Sequence, residues 1–279
     1  MGRDGVYKST DEGKSFFILK GLPQNLDYTR IAVSPVNPDY LYVDVGEWGD
    51  RNPFWSHDGG ERWQQPETMD KNNDSFARGR YFSAPIAPHP LDENIALTST
   101  NGADGIIKTL DGGKTWFYSS TGYMGGRMGI GNASLAFYPD SRKMIFFLID
   151  FGLVLTVDGG KTFELLEIPR LGAKTTPVGA VSPDENIKLI VTAIGEWKKQ
   201  TLAISRNEGR SWEIIPETED NYKFISFHPQ KANIIYAQGF ISKDNGISWK
   251  RLSQKVYGVF RGNGDIVYSI DEAGKNKSI

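Results

Sequence analysis

Thr109-Leu110-Asp111-Gly112-Gly113-Lys114-Thr115-Trp116 is one copy of a turn that recurs through the chain. Its form is Ser/Thr-x-Asp/Asn-x-Gly-x-Ser/Thr-aromatic, with one position loosely kept. Five further copies open at Ser9, Ser56, Thr156, Ser205 and Ser242 and close on Phe16, Trp63, Phe163, Trp212 and Trp249. Successive copies are spaced by 47, 53, 47, 49 and 37 residues. The Asp or Asn side chain folds onto the backbone N–H groups that follow it, and the Gly two residues on takes a positive φ. Together they make a tight hairpin turn, and the closing aromatic starts the next strand under a broad apolar cover.

A short strand candidate leads into each turn, such as Gly5-Val6-Tyr7-Lys8 or Gly105-Ile106-Ile107-Lys108. Upstream lies a second hairpin. Ile31-Ala32-Val33 with Tyr40-Leu41-Tyr42-Val43, and Leu135-Ala136-Phe137 with Met144-Ile145-Phe146-Phe147, are two examples. Ala180-Val181 with Leu189-Ile190-Val191, and Ile225-Ser226-Phe227 with Ile234-Ile235-Tyr236, continue the series. Pro35, Pro88, Pro139, Pro183 and Pro229 sit in these inner turns. Each repeat is thus a four-stranded antiparallel unit of about 50 residues, the period of a β-propeller blade. The chain opens on an outer hairpin, residues 3–19, and closes on an inner one, Val256–Phe260 with Asp265–Ser269. Joined, they make a sixth blade and bury two strand edges. The expectation is all-β: one closed six-bladed propeller spanning residues 1–279, with a fragment of a larger array as the competing reading.

Length and composition agree. The chain has 279 residues, 39% hydrophobic and 12% aromatic, enough for a large core. Its 32 Lys+Arg against 34 Asp+Glu leave a formal charge of −2, so no nucleic-acid footprint or polybasic membrane patch is expected. No apolar run approaches the roughly 20 residues of a membrane-crossing helix. Met1-Gly2-Arg3-Asp4-Gly5 leads into strand-like sequence without signal-peptide order, so no signal peptide is expected in this chain. The absence of cysteine excludes disulfides, thiolate nucleophiles and Cys-ligated zinc.

The eight-residue turn resembles the Asp-box, or BNR repeat, and six copies in phase extend the resemblance over the whole chain. Sialidases, xyloglucan-active endoglucanases, sortilin-type receptors and Ycf48-type photosystem II assembly factors share it. The resemblance implies that the box is a structural turn on the rim, remote from the ligand face, and most such proteins work outside the cytoplasm. The compartment stays unknown on the sequence alone, with the extracellular space or cell envelope favoured by resemblance.

In such a propeller, ligands meet the loops joining strands 2 and 3 of a blade and strand 4 to the next blade. Gly-Glu-Trp occurs there twice, at 46–48 and 195–197, three blades apart. Glu47 and Glu196 offer carboxylates, and Trp48 and Trp197 offer flat apolar faces for sugar C–H groups. Asp50, Asp104 and Asp150 add carboxylates on the same class of loop. The same tryptophans equally suit plain packing, with the glutamates solvated. The long polar segment 66–80 brings Arg78 and Arg80, and the Gly- and Met-rich segment 122–129 brings Tyr123 and Arg127. His57, His89 and His228 fall in box or inner turns, away from the ligand face, which argues against Ser-His-Asp chemistry or a His-held metal. Asp70, Asn72 and Asp74 lack the glycine and distal Glu of an EF-hand loop. No metal and no cofactor are expected.

Tyr28-Thr29-Arg30-Ile31-Ala32 is a loose echo of the sialidase Phe/Tyr-Arg-Ile-Pro motif, with an inserted Thr and no Pro. Neither the nucleophilic Tyr nor the acid Asp of that family can be assigned. Tyr42-Val43-Asp44-Val45-Gly46-Glu47-Trp48 with Phe54-Trp55-Ser56 resembles a blade of the xyloglucan-active enzymes, whose catalytic cleft lies between two propellers. The reading is a non-catalytic recognition or scaffolding propeller with a glycan or protein ligand, able to serve as a subunit of a larger assembly. The alternative is a glycoside hydrolase using acids from Glu47, Asp50, Asp104, Asp150 and Glu196.

Overall fold

A computed structural model describes residues 5–11, 13–23, 28–45, 52–69, 86–99, 106–122, 135–140, 142–148, 152–168, 178–196, 199–253, 255–259, 267–270 and 276–278. Every regular element among them is a strand. The chain divides into two compact units, Met1–Ser120 and Thr121–Ile279.

In the first unit, β1 (Tyr7–Lys8) and β2 (Phe17–Ile18) form a two-stranded sheet. The next sheet is β3 (Tyr28–Val33), β4 (Leu41–Val45) and β5 (Asn52–Ser56), with an antiparallel bridge from Trp55 to Gln64 at its outer edge. Then come β6 (Thr68–Met69), β7 (Ala87–Pro88), β8 (Ala96–Ser99), β9 (Ile106–Thr109) and β10 (Thr115–Tyr118). They form one sheet in the order β6-β10-β9-β8-β7. The expectation of a loop over 66–80 needs correcting here. Its first residues form β6, which pairs in parallel with β10, Thr68 opposite Thr115 and Met69 opposite Trp116. Glu67 N–H also donates to the Lys114 carbonyl at 2.8 Å. This part of the segment therefore lies beside a box turn, away from the hairpin end of the sheet.

The second unit holds three regular four-stranded antiparallel sheets. They are β11 (Leu135–Phe137) to β14 (Glu164–Leu166), with β12 (Met144–Leu148) and β13 (Gly152–Thr156) between. Next are β15 (Gly179–Val181), β16 (Ile190–Glu196), β17 (Lys199–Ser205) and β18 (Glu213–Asp220). The third is β19 (Ile225–Phe227), β20 (Ile235–Ala237), β21 (Phe240–Ser242) and β22 (Lys250–Arg251). The last sheet is β23 (Val256–Val259), β24 (Val267–Ile270) and β25 (Asn276–Ser278). β25 was not foreseen: it fills the second edge of β24, where only an inner hairpin was expected.

Burial alternates along β15, β19, β20 and β21, whereas β13, β16 and β17 are buried almost throughout, with core on both faces. Tyr42, Trp55, Ile107 and Trp116 pack together in the first unit. Val191, Leu202, Ile215, Tyr222, Ile225 and Phe240 do so in the second.

The box turns are held by one repeated network. In the third copy Thr109 Oγ1 donates to Asp111 Oδ1 at 2.8 Å and accepts the Gly113 N–H at 2.9 Å. Asp111 in turn accepts the Thr115 N–H at 2.9 Å and the Thr115 hydroxyl at 2.6 Å. Trp116 Nε1 closes the turn on the Gly113 carbonyl at 3.1 Å. Gly112 and Gly113 adopt φ of 72° and 96°. The fifth and sixth copies place Glu208 and Asn245 in the first of these left-handed positions, at 60° and 59°. The hydroxyl of Ser15, then its N–H, holds the Asp11 carboxyl down at about 2, and Ser248 does the same for Asp244. For Asp58, also about 2, the Arg62 N–H is the main cause.

Candidate functional site

Each box closes one end of its sheet, so the opposite end is left to the hairpin between the second and third strands and to the outgoing connector. The last pairs at that end are Val45–Asn52, Ser99–Ile106, Leu148–Gly152 and Glu196–Lys199. The four expected carboxylate-bearing segments fall, in sequence, between or at the partners of these pairs. Glu47, Trp48, Asp50, Asp104, Asp150 and Trp197 themselves lie outside the described residues. So do Arg78, Arg80, Tyr123 and Arg127. Glu196 is described. It ends β16, exposed, at the tip of the β16–β17 hairpin.

Beside that tip β18 departs from regular pairing. Gln200 stands opposite Asp220 and Leu202 opposite Ile215, so residues 216–219 bulge from the strand. Pro216 cannot donate to a ladder, which favours the break. Thr218, fully buried, pins the bulge: its hydroxyl donates to the Ile215 carbonyl at 2.6 Å and accepts the Leu202 N–H at 3.0 Å. Tyr222 donates its hydroxyl to the Thr218 carbonyl, and burial pushes its phenol up. The bulge brings Asp220 back to the end of the sheet.

Asp220 is the centre of a polar cluster that the sequence pattern did not reveal. Its side chain is 8% exposed. Oδ1 accepts the Asn221 N–H at 2.7 Å and the Lys255 ammonium at 2.8 Å. Oδ2 is buried and meets no donor among the described residues. A Cβ placed on Gly239 would stand 2.9 Å from Oδ2. Gln238, next to it, is buried with φ of 43°, a costly conformation for a side-chain-bearing residue. Its amide clamps the neighbouring connector, accepting the Lys223 N–H and donating to the Asn221 carbonyl, both at 2.8 Å. Arg251 reaches the Glu219 carbonyl at 3.3 Å and lies 4.7 Å over the Phe240 ring. Lys199 pairs with Glu219 at 3.6 Å. The signal that could have found this cluster is Gln238-Gly239, the two-residue turn that joins β20 to β21 at the end opposite the box.

The histidines do turn work. His57 stacks on Tyr40 with centroids 3.9 Å apart, and its Nε2 lies 2.8 Å from the Gly112 carbonyl. Burial pushes its imidazole down. His89 and His228 accept backbone N–H groups of their own turns through Nδ1.

The BNR/Asp-box repeat family matches residues 240–251. No curated protein sequence matches the chain. Among solved structures, the GH74 enzyme of Niastella koreensis is similar over 89% of this chain and 42% of its own, at 18% identity and a TM-score of 0.64. The chain thus spans less than half of that enzyme. A YCF48 structure bound to a D1 peptide is similar over 95% of this chain and 84% of its own, at 15% identity and a TM-score of 0.62. The chain carries Asp-box repeats and has the fold of the Asp-box β-propellers.

Proposed function

We propose that this chain is a non-catalytic recognition or scaffolding propeller that binds a glycan or a protein on the face opposite its Asp-boxes. The observation that carries this is the end of the β15–β18 and β19–β22 sheets. There Glu196 is displayed at an exposed hairpin tip, and the same sheet ends carry Asp220 at the end of β18, Lys223 on the pinned β18–β19 connector, Arg251 in β22 and Lys255 beyond it. Glu196, the one expected acid among the described residues, is exposed there, without the enclosure a glycosidase gives its acid. A protein of similar fold with a bound peptide supports the reading. Retention on immobilised glycans and peptides tests it. Glu196→Gln with Lys199→Ala is expected to weaken retention, whereas Leu91→Ser and Leu110→Ser on the box end are not. The reverse pattern would contradict the assignment of the face.

The second reading, a glycoside hydrolase using acids from Glu47, Asp50, Asp104, Asp150 and Glu196, draws on the likeness to a GH74 enzyme. It requires two carboxyl groups about 5–5.5 Å apart for retention or about 6.5–9.5 Å for inversion.

The proposal includes six blades, closed by the pairing of the β1–β2 hairpin with the inner hairpin β23–β24. Tyr7, Phe16, Phe17 and Ile18 are exposed on that short sheet, an apolar surface that such pairing would cover. Closure in this form needs β25 to leave the edge of β24. Deleting residues 274–279 is then expected to leave Tm unchanged or raised, and a marked fall would count against it.

A further inference from the structure

The sixth box carries a reactive pair that its own fold holds in check. Asn-Gly occurs at 101–102, 245–246 and 263–264, and the second is the pair among the described residues. With no side chain on the following residue, a glycine nitrogen meets little hindrance in reaching the asparagine side chain before it. We infer that Asn245 is a deamidation site gated by opening of the sixth box, and that its modification makes the opening irreversible. In the reaction Gly246 N gives its proton to hydroxide and attacks Asn245 Cγ. The new N–C bond closes a succinimide, the Cγ–Nδ2 bond breaks, and ammonia leaves with a proton from water. Water then adds to either ring carbonyl and opens the ring to aspartate or isoaspartate.

The closed box withholds the nucleophile. Gly246 is buried, and its N–H, the proton that has to leave, is donated to Ser242 Oγ at 2.8 Å. The backbone around it is fixed as well. Asn245 N–H donates to the Asn233 carbonyl at 3.0 Å, and the Asn245 carbonyl accepts Arg206 at 2.8 Å. The Gly246 carbonyl accepts Trp249 Nε1 at 3.2 Å. The other half of the reaction is not tied down: Asn245 Oδ1 is buried and meets no donor among the described residues. Opening returns that oxygen to water, which favours excursions of this turn. The same position holds Glu12, Gly59, Gly112, Gly159 and Glu208 in the other boxes, so the hazard is particular to the sixth. Isoaspartate adds one backbone atom ahead of Gly246, so the Gly246 N–H and carbonyl no longer meet Ser242 and Trp249 together. A box modified in this way does not rebuild, and unfolding becomes one-way.

The test incubates the whole chain in mildly alkaline buffer, folded or in urea, and follows the tryptic peptide 244–250. Chromatography with mass spectrometry separates its asparagine, aspartate and isoaspartate forms. Deamidation at Asn245 is expected to be at least about tenfold slower in the folded chain than in urea, as for a site that reacts only from an open state. Ser242→Ala frees the Gly246 N–H and should speed the folded reaction about tenfold. The matching change in the second box, Ser56→Ala, removes the same bond to Gly60 and should leave Asn245 as slow as in the wild type. Urea titration confirms that both variants are folded, and the wild-type comparison stands without them. Equal rates in the folded chain and in urea would overturn the gate. So would Ser56→Ala speeding the reaction as much as Ser242→Ala, because the opening would then be global and not that of the sixth box. On dilution from urea, isoaspartate at position 245 should be enriched in the fraction that fails to refold; equal content in both fractions would overturn the irreversibility.

Discussion

Thr109→Val tests how the box turns are held. Thr109 is completely buried, and its hydroxyl serves three partners: it donates to Asp111 Oδ1 at 2.8 Å and accepts N–H groups of Gly113 at 2.9 Å and Asp111 at 3.3 Å. Valine keeps the shape and removes the oxygen. The Gly113 N–H is then left unpaired in a turn packed under Tyr42 and Trp55, which costs about 1–3 kcal/mol. Losing the bond to the half-buried Asp111 adds about 1 kcal/mol, for a total of about 2–4 kcal/mol. Thr115→Val is the control. It removes a 2.6 Å bond to Asp111 Oδ2, an oxygen that water can reach once the hydroxyl is gone, so about 0.5–1.5 kcal/mol is expected. Urea unfolding of both variants gives the comparison. A loss at Thr109 no larger than at Thr115 would refute the account of the box as a buried hydrogen-bond network.

Acid should loosen the boxes. The carboxyls of Asp11, Asp58, Asp158 and Asp244 titrate near 2 when folded against 3.8 in an open chain, so their stabilisation is complete above about pH 4 and is lost as pH falls towards 2. Tm followed from pH 5 to 2 should fall, and less steeply in Asp244→Asn; identical slopes would contradict this. The fifth box already carries Asn207, which accepts the Ser205 hydroxyl and the Ser211 N–H as the aspartates do and donates to the Ser211 hydroxyl. Gly179→Ala would place a Cβ 2.1 Å from Phe147 and should cost about 1–3 kcal/mol in urea unfolding, partly restored by Phe147→Leu. Glu208→Gly relieves a left-handed φ but removes the 2.7 Å pair with Lys143. Its effect should lie within about 0.5 kcal/mol of zero at low salt and turn stabilising at 1 M NaCl, where the pair is screened.

The box pattern made the turns and most hairpins legible because every member of the network is local, within about eight residues of Ser9, Thr109 or Ser242. β6 was not legible: its partner Thr115 is distant in sequence, and a polar stretch with Arg78 and Arg80 carries no alternation to announce a strand. β25 likewise follows a Gly-containing, charged segment. Of the residues expected at the ligand face, Glu196 is the one described, and it ends β16. Asp220 was missed because a bulge after Pro216 sets it at the sheet end, and bulges leave no period in the sequence.

The most direct test of the recognition reading is reducing-end release from a panel of polysaccharides by the wild-type chain, with Glu47→Gln and Glu196→Gln alongside. The account predicts no release from any polymer, including those that retain the protein. Release by the wild type that disappears in either variant would contradict it and make the chain a hydrolase.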